Sequence, residues 1–132
     1  MLPFEAPLID EGIEYLSVEN YYQAMKTLDI DRRKEIAQAT PMQSKKLGRG
    51  AVMRSDWEGI KQSVMEIALR HKFSPGTKWY DQLIKAEGEI VEWNNWGDEI
   101  WGIDVRTNKG QNLLGKLLMK FGNEFLLTEK LS

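Results

Sequence analysis

The order of apolar and polar residues carries helix punctuation along most of the chain. Ser17 reads as an N-cap ahead of a helix over Val18–Leu28, with Leu16 and Tyr21 spaced for a hydrophobic staple. Asp31 is placed to cap a short helix running to Ala39. Thr40-Pro41-Met42-Gln43 is a capping box with proline at the first helical position, and Gly48 falls where that helix would end. Ser55-Asp56-Trp57-Glu58 predicts a second capping box. It opens the longest periodic segment, in which Trp57, Ile60, Val64, Ile67 and Ala68 form one stripe. Ser74-Pro75-Gly76 ends that helix, and Thr77 can cap another that contains Trp79, Leu83 and Ile84. Glu89–Trp93 has the composition of a strand. Residues 94–110 mix Gly, Asn and Asp with aromatics, the mark of an irregular functional loop. Asn112 can cap a final helix that turns Leu113, Leu114, Leu117, Leu118 and Phe121 inward. The expected fold class is mainly α with a minor β component. Nothing in the pattern marks a repeat or a linker, so residues 1–132 are expected to form a single domain.

Composition narrows the chemistry. With no cysteine, disulfides, thiolate catalysis and cysteine-bound metals are excluded, and the single histidine, His71, excludes a histidine-rich metal site. No metal and no cofactor are expected. Lys and Arg number 18 against 20 Asp and Glu, so a net charge of -2 gives no long-range field for a polyanion. No apolar run approaches the ~20 residues of a membrane span, and no signal segment opens the chain. The expectation is a cytoplasmic protein, monomeric and without a membrane partner. One number stands out: of five tryptophans, Trp93, Trp96 and Trp101 fall close together.

Two constellations could carry a reaction. Glu19, Gln23 and Lys26 recur at helical spacing, which stacks a carboxylate, an amide and an amine on one face. A solvated helix face would present the same triplet. The segment from Glu92 to Gly102 sets indoles among carboxylates and glycines, as suits a pocket that stacks a flat heterocycle and binds a sugar. A tryptophan-rich plug for the core has the same composition. Lys45, Lys46 and Arg49 form a basic cluster that fits either a solvated helix end or a phosphate clamp.

Taken in order, several pieces resemble the NADAR family of YbiA-like N-glycosidases. They are Ser17-Val18-Glu19-Asn20-Tyr21-Tyr22-Gln23-Ala24-Met25-Lys26, Ala39-Thr40-Pro41 with Lys45-Lys46-Leu47-Gly48-Arg49, and Asp56-Trp57. Met65, Lys72-Phe73, the Glu92 to Gly102 segment, Gly110-Gln111-Asn112-Leu113-Leu114-Gly115 and Leu118-Met119 follow. Two departures accompany the match. The family's Phe-x-Ser-Asn-like segment finds no counterpart before Leu2-Pro3-Phe4, so a ligand-contacting piece is expected to be short or absent. Gly122 stands where the closing Leu-Met-x-x-Arg has its arginine.

The resemblance implies a compact, mostly helical enzyme that hydrolyses an N-ribosidic bond. The substrate would be a ribosylamino-pyrimidine phosphate of riboflavin synthesis, or ADP-ribosylated guanine in nucleic acid, where some members act as antitoxins. A non-catalytic module that binds ADP-ribose or a nucleotide is the alternative. Breaking a ribosyl–nitrogen bond develops oxocarbenium character, which calls for negative charge, a proton for the leaving nitrogen and a platform for the base. Glu19 is the candidate for charge stabilisation or water activation, with Asp98 as second carboxylate. Lys26 admits a Schiff-base route instead. Trp96 and Trp101 would stack the base, Asn20 and Gln23 would orient hydroxyls, and Lys46 or Arg49 would hold phosphate. Tyr22, Glu92, Gly102 and Asn112 complete the expected binding set.

Overall fold

A computed structural model describes residues 3–86, 88–94 and 98–131, with side chains through residue 128. The order is β1 (Leu8–Asp10), β2 (Ile13–Tyr15), α1 (Val18–Ala24), α2 (Ile30–Gln38), α3 (Pro41–Gly50), α4 (Trp57–Lys72), α5 (Lys78–Lys85), β3 (Trp93–Asn94), β4 (Ile103–Asp104) and α6 (Leu113–Leu131). Among the described residues, six helices and two small sheets make the fold mainly α with a minor β component, as the sequence predicts. The contacts divide the chain into two compact units, Met1–Thr77 and Lys78–Ser132. Among the described residues, no helix is long and apolar enough to cross a membrane.

In the first unit, β1 and β2 pair antiparallel with Leu8 opposite Tyr15. Glu11 and Gly12 both have positive φ, 50° and 75°, as a two-residue hairpin turn requires. Leu8, Ile13 and Tyr15 are buried from this hairpin. The Ser17 side chain accepts from the Asn20 amide and caps α1, as predicted. The staple does not form: Leu16 is 55% exposed, and Tyr21 instead meets the Tyr15 ring edge-on at 5.3 Å. Helix α1 also stops at Ala24, four residues short of expectation. The amides of Lys26 and Thr27 reach back only three residues, to the Gln23 and Ala24 carbonyls at 3.3 Å, so the helix tightens into a turn, while Arg54 N–H and Arg33 Nε satisfy the Lys26 and Thr27 carbonyls beyond it.

The cap of α2 is Asp29, not Asp31: its carboxylate accepts from the amides of Asp31 and Arg32. The capping box at Thr40 and Gln43 is complete. Helix α3 continues two residues past Gly48 to Gly50. At the start of α4, the Asp56 side chain makes no cap, because Arg54 Nε holds its carboxylate at 2.6 Å. Trp57, Val64 and Ala68 of the predicted stripe are buried together with Met65 and Leu69, whereas Ile67 is 52% exposed. Fully burying each such aliphatic chain contributes about 1.5–3 kcal/mol.

Thr77, the last residue of the first unit, directly precedes α5, and its hydroxyl lies close to two carbonyls behind it, those of Ser74 and Lys72. Among the described residues of the second unit, the expected Glu89–Trp93 strand pairs only at its end: Trp93–Asn94 runs parallel to Ile103–Asp104. Leu114, Leu117, Leu118 and Phe121 of α6 are buried, and Leu113 is half-buried. Gly122 lies over Leu83 of α5, so the position of the missing arginine faces apolar packing.

Candidate active site

In the first unit, α1 lines up a short polar chain. Gln23, one turn after Glu19, donates from Nε2 to Glu19 Oε1 at 2.9 Å. A carboxylate only accepts, so the amide must turn its NH2 towards Glu19. The Gln23 Oε1 is left buried with no hydrogen-bond partner among the described residues. Lys26 lies beyond the end of α1, in the turn after the Met25 C-cap, and is half-buried. Its Nζ stands 5.5 Å from the centre of the Tyr22 ring, and Tyr22 meets Trp57 edge-on at 5.0 Å. Burial pushes the Lys26 amine below its ordinary pKa; the Glu19 carboxylate opposes this, while Arg49 and Lys61 add to it. Glu19, Lys26 and Arg49 are therefore within electrostatic reach of one another, although the face that unites them is not one continuous helix.

Other expected residues have different surroundings. Asn20 is 2% exposed. Its Nδ2 donates to the carbonyls of Ile36 and Ala39, each at 2.9 Å, and its Oδ1 accepts from the Ser17 hydroxyl. The side chain expected to orient a substrate hydroxyl is thus spent as a clamp between α1 and the end of α2. Lys46 is exposed and lines a concavity of about 520 Å³ with Glu35, Gln38 and Gln43. A second concavity, about 480 Å³, is lined by Leu28, Arg32, Met53 and Arg54 among others. Neither is lined by Glu19, Gln23 or Lys26, so the candidate site rests on the pairing of side chains rather than on cavity size. His71 is structural: Nε2 donates to the Ala6 carbonyl at 2.8 Å and its ring abuts Phe4.

The second unit contains the tryptophan-rich loop. Asp98 Oδ1 accepts from the amides of Ile100 and Trp101, both at 3.0 Å, which makes it the anchor of a tight turn. Asn94, 6% exposed, accepts from Asp98 N–H and donates to the Asp98 and Ile103 carbonyls. A Cβ on Gly102 would overlap the Glu92 carbonyl oxygen, so this glycine serves the close approach of two backbones. Asn112 takes φ 52° and ties the start of α6 to the chain before β3. It donates to Ile90 O at 2.8 Å and accepts from Glu92 N–H at 2.9 Å. Trp101 is half-buried and Trp93 is 52% exposed, while Trp96 lies outside the described residues. Asp104 is buried, and the Arg106 side chain and amide hold its carboxyl below the usual range.

Sequence reasoning missed Lys61 and Gly48. Lys61 follows Trp57 by one helical turn, so i, i+4 spacing was its signal. Gly48 is a glycine inside a helix, facing Gln23.

A mostly helical fold that sets a carboxylate beside a desolvated amine, with no thiol or histidine pair, defines a class of protein whose chemistry rests on those two groups. The chain belongs to the NADAR domain family, whose family model matches residues 3–126. It is 37% identical over 128 residues to N-glycosidase YbiA of Escherichia coli (strain K12), covering 94% of this chain and 78% of that protein. Over 142 residues it is 31% identical to the chloroplastic riboflavin biosynthesis protein PYRR of Zea mays, covering 96% of this chain and 23% of that one. The NMR structure of the E. coli protein YbiA superposes with a TM-score of 0.79 at 36% identity, over 96% of this chain and 76% of that one.

Proposed function

We propose that the protein is a hydrolase that cleaves the N-ribosidic bond of a nucleotide-type substrate. The observation that carries this reading is the lowered amine of Lys26 beside Glu19, whose carboxylate is held by Gln23. A lysine that deprotonates more readily is a better nucleophile near neutral pH. In the route this favours, a glycosylated amine opens to an imine and the neutral Lys26 Nζ adds to its C1′ carbon. Glu19 takes up the proton that the attacking Nζ then releases, the carbon–nitrogen bond to the base breaks, and Glu19 passes that proton to the departing amine. Water hydrolyses the resulting Schiff base, returning the free amine and releasing the sugar aldehyde. In the other route Glu19 activates water directly at C1′.

The substrate is a ribosylamino-pyrimidine phosphate or ADP-ribosylated guanine. The names of the relatives, an N-glycosidase and a riboflavin biosynthesis protein, support the former. Arg49 and Lys61, both near Lys26, are the proposed phosphate partners. Trp96 and Trp101 enter as base-stacking side chains on the family resemblance. Asp98 shapes its turn, and Lys46 is left with no part in the chemistry.

The test is incubation with both compounds, reading released base or ADP-ribose by mass spectrometry. Lys26→Ala and Glu19→Gln are expected to lose about 100-fold or more in kcat, and borohydride added during turnover is expected to trap a sugar adduct on Lys26. Because the amine's pKa is lowered, the limb on which activity rises with pH should lie below that of an ordinary lysine. Unchanged rates in both variants would sink the assignment. Turnover without any Lys26 adduct would leave only the water route.

A further inference from the structure

Gly48 sits inside α3, and its backbone conformation is one any residue adopts: it is not among the residues with positive φ. Glycine weakens a helix interior, so conformation alone gives no reason for it. Space does. A Cβ at position 48 would overlap Gln23 Oε1 and come within 3.1 Å of Gln23 Cδ and 3.2 Å of Gln23 Cβ. Both residues are buried, so the amide has no solvent into which to retreat. The same amide donates to Glu19, and Glu19 is the one anion among the charged groups acting on Lys26. We propose that Gly48 is a positioning residue, whose missing side chain leaves the space in which the Gln23 amide holds Glu19 beside Lys26.

The inference rests on the reading that Glu19 and Lys26 carry the chemistry, and it has a consequence that needs no turnover. The charged groups acting on Lys26 are Glu19 from α1, Arg49 from α3 and Lys61 from α4. Glu19 alone favours the protonated amine. If a methyl group at position 48 displaces Gln23, Glu19 loses its tether and Lys26 gives up its proton at lower pH. A packing defect that leaves Glu19 in place would not move that titration.

The experiment compares Gly48→Ala, Gln23→Ala and the double variant in the intact chain, with circular dichroism as a check on folding. Lys26 is methylated with formaldehyde and cyanoborohydride across a pH series, and the Lys26 peptide is quantified by mass spectrometry. Gly48→Ala and Gln23→Ala are each expected to shift the midpoint down by about half a pH unit or more. The double variant should match Gln23→Ala closely, because the Oε1 that the methyl group overlaps is gone and only the 3.2 Å approach to Cβ remains. On substrate, Gly48→Ala is expected to lower kcat roughly 100-fold while KM changes little. An unshifted Lys26 midpoint in Gly48→Ala overturns the proposal, as does a Gly48→Ala effect of equal size in the Gln23→Ala background. Should Gly48→Ala fail to fold, a folded double variant supports the clash with Gln23, and an unfolded one overturns it. A parent chain that turns over neither substrate would sink the proposed function yet leave the methylation result to decide this inference.

Discussion

Tyr15 shows how much one buried atom can matter. Its side chain is fully buried, and its hydroxyl has no hydrogen-bond partner among the described residues. Burial pushes its pKa up to about 12; nearby Arg33 opposes the rise, and Asp10 adds to it. The neutral phenol is thus favoured in the folded chain, while the unfolded chain ionises near the ordinary value of about 10. A group raised in this way contributes stability that is fully present below pH 10 and lost as pH rises towards 12. Tyr15→Phe removes an unsatisfied polar atom and keeps the ring edge against Tyr21. The variant is expected to be as stable as the parent at pH 7, or more stable by about 1–2 kcal/mol. Its advantage should grow between pH 10 and 12. Thermal unfolding followed by circular dichroism checks both, and a variant less stable by more than about 1 kcal/mol would mean that the hydroxyl has a partner after all.

Helix ends show which parts of the fold were legible in the sequence. Thr40 and Gln43 were readable because every group in a capping box lies within four residues, and nothing distant interferes. The box expected over Ser55–Glu58 does not form: the N-cap is Asp56, whose carboxylate Arg54 holds, and Glu58 accepts from Lys61 instead. Lys26 falls outside α1 because its amide and that of Thr27 bond three residues back, a tightening that side-chain spacing does not reveal. The β1–β2 hairpin was missed although its alternation of Leu8, Ile13 and Tyr15 around Glu11-Gly12 was present; three-residue strands are too short to stand out. The candidate site divides the same way. Glu19 and Gln23 were readable as an i, i+4 pair, whereas Lys61 and Gly48 reach the site by tertiary packing. Asn20 reads from sequence as a ligand-binding residue, yet two of its three side-chain hydrogen bonds join α1 to the end of α2 and the third closes the α1 cap. Asn20→Ala should take from the Ala39 carbonyl its Asn20 donor, leave the Ile36 carbonyl only the Ala39 amide, and cost about 1–3 kcal/mol. Urea unfolding checks it: the midpoint should fall with m unchanged, and an unmoved midpoint would show that α1 and α2 do not depend on the clamp.

Charge over the whole chain sets a limit on substrate size. With 18 basic and 20 acidic side chains the molecule has no cationic excess, yet Lys26, Arg49 and Lys61 gather near Glu19, with Lys61 also paired to Glu58 at 2.6 Å. Attraction of an anion is therefore a short-range property of this cluster, not a field spread over the surface. A protein that engages 6–10 phosphates loses roughly 10³–10⁵ in affinity between about 50 and 200 mM salt, because each neutralised phosphate releases counterions. Two cations, Arg49 and Lys61, meeting the phosphate of a small nucleotide cannot generate such a slope. For ribosylamino-pyrimidine phosphate, kcat/KM is expected to fall by less than about tenfold over that range of salt. Duplex DNA carrying ADP-ribosylated guanine should show an equally shallow dependence if recognition is confined to the modified nucleoside. Measuring kcat/KM for both substrates across a potassium chloride series decides between these cases. A loss of about 10³ or more on the duplex would mean that many phosphates are bound, and would place the binding surface well beyond Lys26 and its neighbours.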